Sequence, residues 1–202
     1  MHHRAASHPG GRVACRQRVS GESIFSDFTV EALPTTAFER LGLDPLAAAL
    51  RMTDLYFSTL PRLSWGIARA RRHVTGPDGE DLNPRTELFL GLAPCLPLIT
   101  LGSPHIDRGP DRATISYPVI GGLLSRRPTR GALVFEVALT AQEATLAVRV
   151  QDFSSRLAGD CSSAFRRALY RSTQWLLHRA LVTRFLRLAA RELSCPSSTA
   201  GE

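Results

Sequence analysis

Apolar and polar residues alternate along several stretches of this chain, and a period of two marks a strand with one buried face. Ser26–Leu33 reads SDFTVEAL and predicts a first strand. Ala113–Ile120 puts Ile115, Tyr117 and Val119 on one face, Ala132–Leu139 does so with Leu133, Phe135, Val137 and Leu139, and Thr145–Asp152 with Leu146, Val148 and Val150. Pro97–Leu101 adds a short extended run. Between the first strand and the rest, the pattern turns helical. Thr35 or Thr36 can cap a helix, with Glu39 at capping-box spacing from Thr36. Asp44-Pro45 opens a second helix, Asp44 as cap and Pro45 at the first helical position. Its apolar positions Leu46, Leu50, Leu55 and Leu60 run towards Pro61. A third helical piece is predicted over Leu63–His73, with Arg69, Arg71 and Arg72 at its C-terminal end, where cations suit the helix dipole.

The last two strands predict a hairpin. A turn centred on Gln142-Glu143 pairs Leu139 with Leu146, Val137 with Val148 and Phe135 with Val150, all on one face. Glu136 then falls opposite Arg149 on the other face, a favourable cross-strand pair. A long helix follows over Ser162–Leu193, with Asp160, Ser162 or Ser163 as cap and Cys195-Pro196 as its end. Its apolar stripe turns along its length. Phe165, Ala168, Leu169, Leu176 and Ala180 define it early, and Leu181, Val182, Phe185, Leu188 and Ala189 later. Arg179, Thr183, Arg187 and Arg191 form a polar ridge beside the later stripe. The first half is expected to cover the sheet and the second to meet the N-terminal helices or another subunit.

The order is a strand, two or three helices, a run of antiparallel strands and one long C-terminal helix. It resembles the helix-grip fold of the START-like superfamily, which includes polyketide cyclases, Bet v 1-like proteins and many bacterial ligand binders. The resemblance covers Ser26–Leu193 and rests on that order and on GALVFEVALTAQEATLAVRVQDFSSRLAG with the helix after it. It implies an α+β fold, a curved antiparallel sheet wrapped on the C-terminal helix, with a cavity between them for an apolar or aromatic ligand. No cofactor and no universal catalytic residue come with it. One departure is Gly76–Pro104, rich in turns and prolines where the family has a β-hairpin, which predicts an irregular segment or a lid. Residues 1–22 read as a disordered leader and 196–202 as a disordered tail, flanking one domain over 23–195.

Charge sharpens the picture. The net charge is +7, and all 25 basic residues are arginine. Residues 1–21 carry +4 and residues 161–191 carry +7, which leaves −4 for the rest. The absence of lysine excludes Schiff-base catalysis. The helical arginines ring the helix rather than share a face, which disfavours nucleic-acid recognition. Contact with an anionic membrane surface and a homodimer stay open. Cys15, Cys95, Cys161 and Cys195 have no metal or disulfide spacing, so no metal site is expected and a reduced, cytoplasmic protein is. Residues 88–104 carry no charge, but Pro94 and Pro97 interrupt the run, and a buried segment is expected there rather than a membrane span.

No nucleotide-binding glycine loop, GxSxG or HExxH is present. Catalytic candidates are His105 with Asp107, because a carboxylate sets the tautomer and pKa of an imidazole, together with Tyr117 and Asp152 on apolar strand faces. Tyr56, Trp65, Phe135, Tyr170, Trp175 and His178 are candidates for lining the cavity. The expected function is hydrophobic small-molecule binding, with a cofactor-free cyclase or lyase of bacterial specialised metabolism as its enzymatic form. The alternative is a non-enzymatic interaction protein that uses the basic helix.

Overall fold

A computed structural model of the protein describes residues 13–20, 23–73, 85–91, 93–125, 131–154 and 164–194, apart from the side chains of residues 19, 20, 93–96, 154, 164–175 and 177. The elements are β1 (Val13–Ser20), β2 (Ser23–Pro34), α1 (Thr35–Arg40), α2 (Pro45–Leu63), β3 (Ala68–His73), β4 (Arg85–Leu90), β5 (Ala93–Leu101), β6 (His105–Arg108), β7 (Arg112–Gly121), β8 (Ala132–Leu139), β9 (Glu143–Ser154) and α3 (Ala164–Ser194). Neighbouring strands follow the order β1-β2-β9-β8-β7-β5-β4-β3, with β6 added to β7, and every pairing is antiparallel. α3 packs on β2, β9 and β1, and α2 packs on β7 and β8, so the two helices share the inner face of the sheet. This is the helix-grip arrangement, an antiparallel sheet closed over a long C-terminal helix.

Alternation explains the sheet. In β2, Ile24, Ser26, Phe28 and Val30 are buried; in β7, Ala113, Ile115, Tyr117 and Val119 are. On α2 the buried face is Ala48, Ala49, Met52, Tyr56, Phe57 and Leu60. That face is rotated from the predicted leucines, and Leu50 is exposed. Asp44 caps the helix as predicted, its Oδ1 accepting from the Ala47 N–H at 2.6 Å. α1 has no side-chain cap. Thr35 instead donates to the Thr140 carbonyl at 3.0 Å and ties the helix start to the β8–β9 turn. On α3, Val182, Phe185, Leu186, Ala189, Ala190 and Leu193 are buried, while Arg179, Arg184, Arg187 and Arg191 are exposed.

Four further expectations change. The leader expected over 1–22 is, from Val13, a strand paired with β2 from Val13↔Val30 to Ser20↔Ser23. Leu63–His73 is a helix only to Leu63, because the backbone turns left-handed at Trp65 (φ 53°) and Gly66 (φ 79°), and β3 follows. The described part of Gly76–Pro104 is a hairpin of β4 and β5 and not an irregular segment. The β8–β9 register is Val137↔Leu146, Phe135↔Val148 and Leu133↔Val150, two residues from the predicted one. Thr140 causes this shift by closing the turn around Ala141-Gln142: its hydroxyl accepts from the Glu143 N–H at 3.0 Å, and its backbone N–H donates to the Glu143 carbonyl at 2.8 Å. A two-residue shift keeps every side chain on its predicted face.

Candidate functional site

The inner face holds an aromatic cluster. Tyr56 stands edge-on to Phe135 with ring centroids 5.1 Å apart and to Phe185 at 4.9 Å. Tyr117 meets Phe57 at 5.5 Å and Phe135 at 6.2 Å. The cluster thus joins α2, β7, β8 and α3, and its edge-to-face geometry suits the ring quadrupoles. Burial pushes the Tyr56 phenol up to about 12. It raises Tyr117 as well, an effect partly countered by the Arg72 guanidinium and reinforced by Asp54. Both hydroxyls are therefore protonated at neutral pH. Arg72 lies over the Phe57 ring at 5.0 Å and pairs with Asp54 at 2.7 Å. These groups border an open cleft of ≈ 570 Å³ between α2 and β3, which leads down to Phe57.

A second inner site lies under α3. His178 stands four and seven residues before Val182 and Phe185, so helical periodicity turns it toward the sheet. Its ring meets Phe28 of β2 edge-on, with centroids 5.2 Å apart at 71°. The residue as a whole is half-buried, but its Nε2 is sealed from solvent and has no hydrogen-bond partner among the described residues. Burial lowers its pKa to about 4, so the imidazole is neutral at pH 7. Cys15, the strand partner of Phe28, packs against the same core. Burial raises its thiol pKa, Arg179 of α3 lowers it, and Asp27 raises it again.

The other predicted residues lie elsewhere. His105 and Asp107 are on β6, two apart and so on one strand face, but that strand is exposed throughout. Asp152 does not continue the apolar face of β9. A bulge separates the pairs Ile24↔Phe153 and Ser26↔Val150, Asp152 takes a left-handed φ of 46°, and Phe153 becomes the buried residue. Trp65 is 64% exposed. Tyr170 and Trp175 have side chains outside the described residues. The structure therefore brings together Tyr56, Tyr117 and Phe135, and sets His178 against Phe28. Sequence reasoning passed over Phe28, Phe57 and Phe185 as site residues. The β2 alternation signalled the first, and the α3 stripe the last.

On the outer face, Glu136 is buried and accepts from Arg149 Nη1 at 2.5 Å, from Arg149 Nη2 at 3.3 Å and from Arg112. Arg149 Nε also donates to Asp27 Oδ1 at 3.2 Å. This network borders a shallow cleft of ≈ 510 Å³ lined by Arg16, Arg18, Phe25 and Gln151. Among the described residues no cluster of three or more His, Cys, Asp or Glu side chains could hold a metal ion.

No protein-family model matches the chain. No curated protein matches it either. Among solved structures it is similar to a STAR-related lipid transfer protein from Xanthomonas axonopodis, at 11% identity and a TM-score of 0.47, over 93% of this chain and 97% of that one. It is similar to a START superfamily protein from Mycobacterium smegmatis, at 16% identity and 0.40, over 81% and 98%. It is also similar to an HSP90 activator from Plasmodium falciparum, at 14% identity and 0.34, over 78% and 94%.

Proposed function

We propose that the protein binds an apolar or aromatic small molecule between the sheet and α3, beside Phe28 and His178. The carrying observation is the His178 Nε2, sealed from solvent without a partner among the described residues. A buried polar atom left unpaired costs about 1–3 kcal/mol. A ligand with one hydrogen-bonding group offsets that cost, while its apolar body meets the surrounding Phe28 and Cys15. The neutral imidazole suits an uncharged hydroxyl, carbonyl or N–H better than a carboxylate.

The finer form of the proposal is a cofactor-free cyclase or lyase that works by holding a flexible substrate in a reactive shape. The Tyr117 hydroxyl, kept protonated by burial, is available there as an acid. His178 is the neutral group available as a base. His105 and Asp107 lie on exposed β6.

Native mass spectrometry of the full chain, followed by solvent extraction, tests the binding proposal. A single discrete adduct whose mass returns as a small apolar molecule is expected. A chain that carries no adduct after exposure to a crude lipid extract contradicts it.

A further inference from the structure

One corner of the molecule is apolar, exposed and ringed by cations. Trp65, Ile67 and Leu90 are 64%, 46% and 39% exposed. They belong to two turns that touch. The Gly91 N–H donates to the Ile67 carbonyl at 2.9 Å, and a Cβ on Gly91 would come within 2.1 Å of the Gly66 carbonyl oxygen, so only glycine allows this approach. Leu90 pairs with Ala68 across β3 and β4. Trp65 holds a left-handed φ of 53°, a conformation a bulky side chain rarely adopts. Its ring therefore stands outward on a strained backbone instead of folding into the core. Strain of this kind persists where the surrounding structure enforces it and collects at functional positions.

The rim is basic. The Arg184 guanidinium of α3 lies over the Trp65 ring at 4.1 Å. Arg69 Nε lies 3.5 Å from the Cβ position on Gly91. Arg62, three residues before Trp65, and Arg187, one turn from Arg184, are exposed. The sequence holds no acid from Leu55 to Pro77, from Leu88 to Ile106 or from Cys161 to Arg191, so the segments that build this corner bring cations without acids.

We propose that this corner is a docking site for an anionic lipid surface. A tryptophan seats itself at the boundary between headgroups and acyl chains, where one end of its ring is apolar and the other wet. Ile67 and Leu90 add apolar area beside it, and the arginines meet the lipid phosphates. Among the described residues no helix is long and apolar enough to cross a membrane, and the patch calls for surface contact alone. The site is separate from the one beneath His178.

The test is co-sedimentation of the full chain with vesicles of phosphatidylcholine alone and of an equal mixture of phosphatidylcholine and phosphatidylglycerol. Binding to the mixed vesicles only is expected. Trp65→Gly removes the ring and relieves the left-handed backbone, so the variant folds at least as well, and it should lose about tenfold in binding. Arg184→Gln should lose about fivefold, the equivalent of about 1 kcal/mol for one cation at the surface. In a Trp175→Phe chain, whose remaining tryptophan is Trp65, emission should shift to the blue on binding. Equal binding to neutral vesicles, undiminished binding of Trp65→Gly, or a dimer that depends on Trp65 with no vesicle binding would each overturn the proposal.

Discussion

Arg149 on β9 reaches Glu136 on β8 diagonally across the strand pair, with its guanidinium 2.5 and 3.3 Å from the two carboxylate oxygens. The residues directly opposite are Val134 for Arg149 and Ala147 for Glu136. Burial works against the Arg149 charge, yet Glu136 and then Asp27 more than compensate and raise its pKa. Glu136 is the more deeply buried partner, and Arg112 also binds it. Glu136→Gln keeps the shape and removes the charge that two guanidiniums share. It should cost about 2 kcal/mol in urea unfolding, whereas Arg112→Gln, at an exposed end of the network, should cost less than about 1 kcal/mol.

His178 makes stability depend on pH with a definite sign. Its folded pKa is about 4, below the ordinary value of 6.5. Between those values the unfolded chain binds the proton and the folded one does not. Stability is therefore unaffected above pH 6.5 and falls as the pH drops towards 4. The full loss is about 3 kcal/mol. Denaturant midpoints measured from pH 7 to 4 should show this slope, and His178→Phe should flatten it. An unchanged slope in the variant would place the effect in other groups.

Cys15 reports on the same region. Its raised pKa and half-burial should make alkylation by iodoacetamide at pH 8 slower than that of a free thiol. Peptide-resolved mass spectrometry separates it from the other three cysteines. A ligand seated beside Phe28 should slow the reaction further, because Cys15 is the strand partner of Phe28. Labelling at the rate of a free thiol, ligand or not, would put the ligand elsewhere.

Ala32 holds a φ of 60° where β2 bulges between the pairs Val30↔Leu146 and Leu33↔Ala144. A left-handed φ costs a residue with a Cβ about 1–2 kcal/mol, and glycine escapes that cost. Ala32→Gly should therefore raise the thermal midpoint, with a gain of about 1 kcal/mol after the entropy cost of glycine is subtracted.

Much of this fold was legible because alternation and helical period fix which face a residue occupies. That suffices for the strand faces around Phe135 and Tyr117, for the Asp44 cap and for the long helix. The hairpin register was not legible, since the Thr140 hydroxyl decides it and a two-residue slip leaves the pattern intact. The end of β9 misled for a related reason: a bulge hands the inward position from Asp152 to Phe153, and no local signal marks it. β1 was hidden because its arginines face outward on an edge strand, where sequence polarity looks like disorder. β6 itself, which carries His105 and Asp107, had no signal in the alternation, and its exposure follows from where it attaches to β7, a long-range fact. His178 shows the converse. Its place on the stripe with Val182 and Phe185 was visible, while its lack of a partner among the described residues needs the sheet opposite.

The most direct measurement of the central claim is a fluorescence titration of the full chain with N-phenyl-1-naphthylamine, a neutral apolar molecule whose one N–H can donate to Nε2. The account predicts saturable one-to-one binding, weakened about tenfold in His178→Leu by loss of a single buried hydrogen bond. A linear, unsaturable signal, or equal affinity in the two proteins, would contradict it.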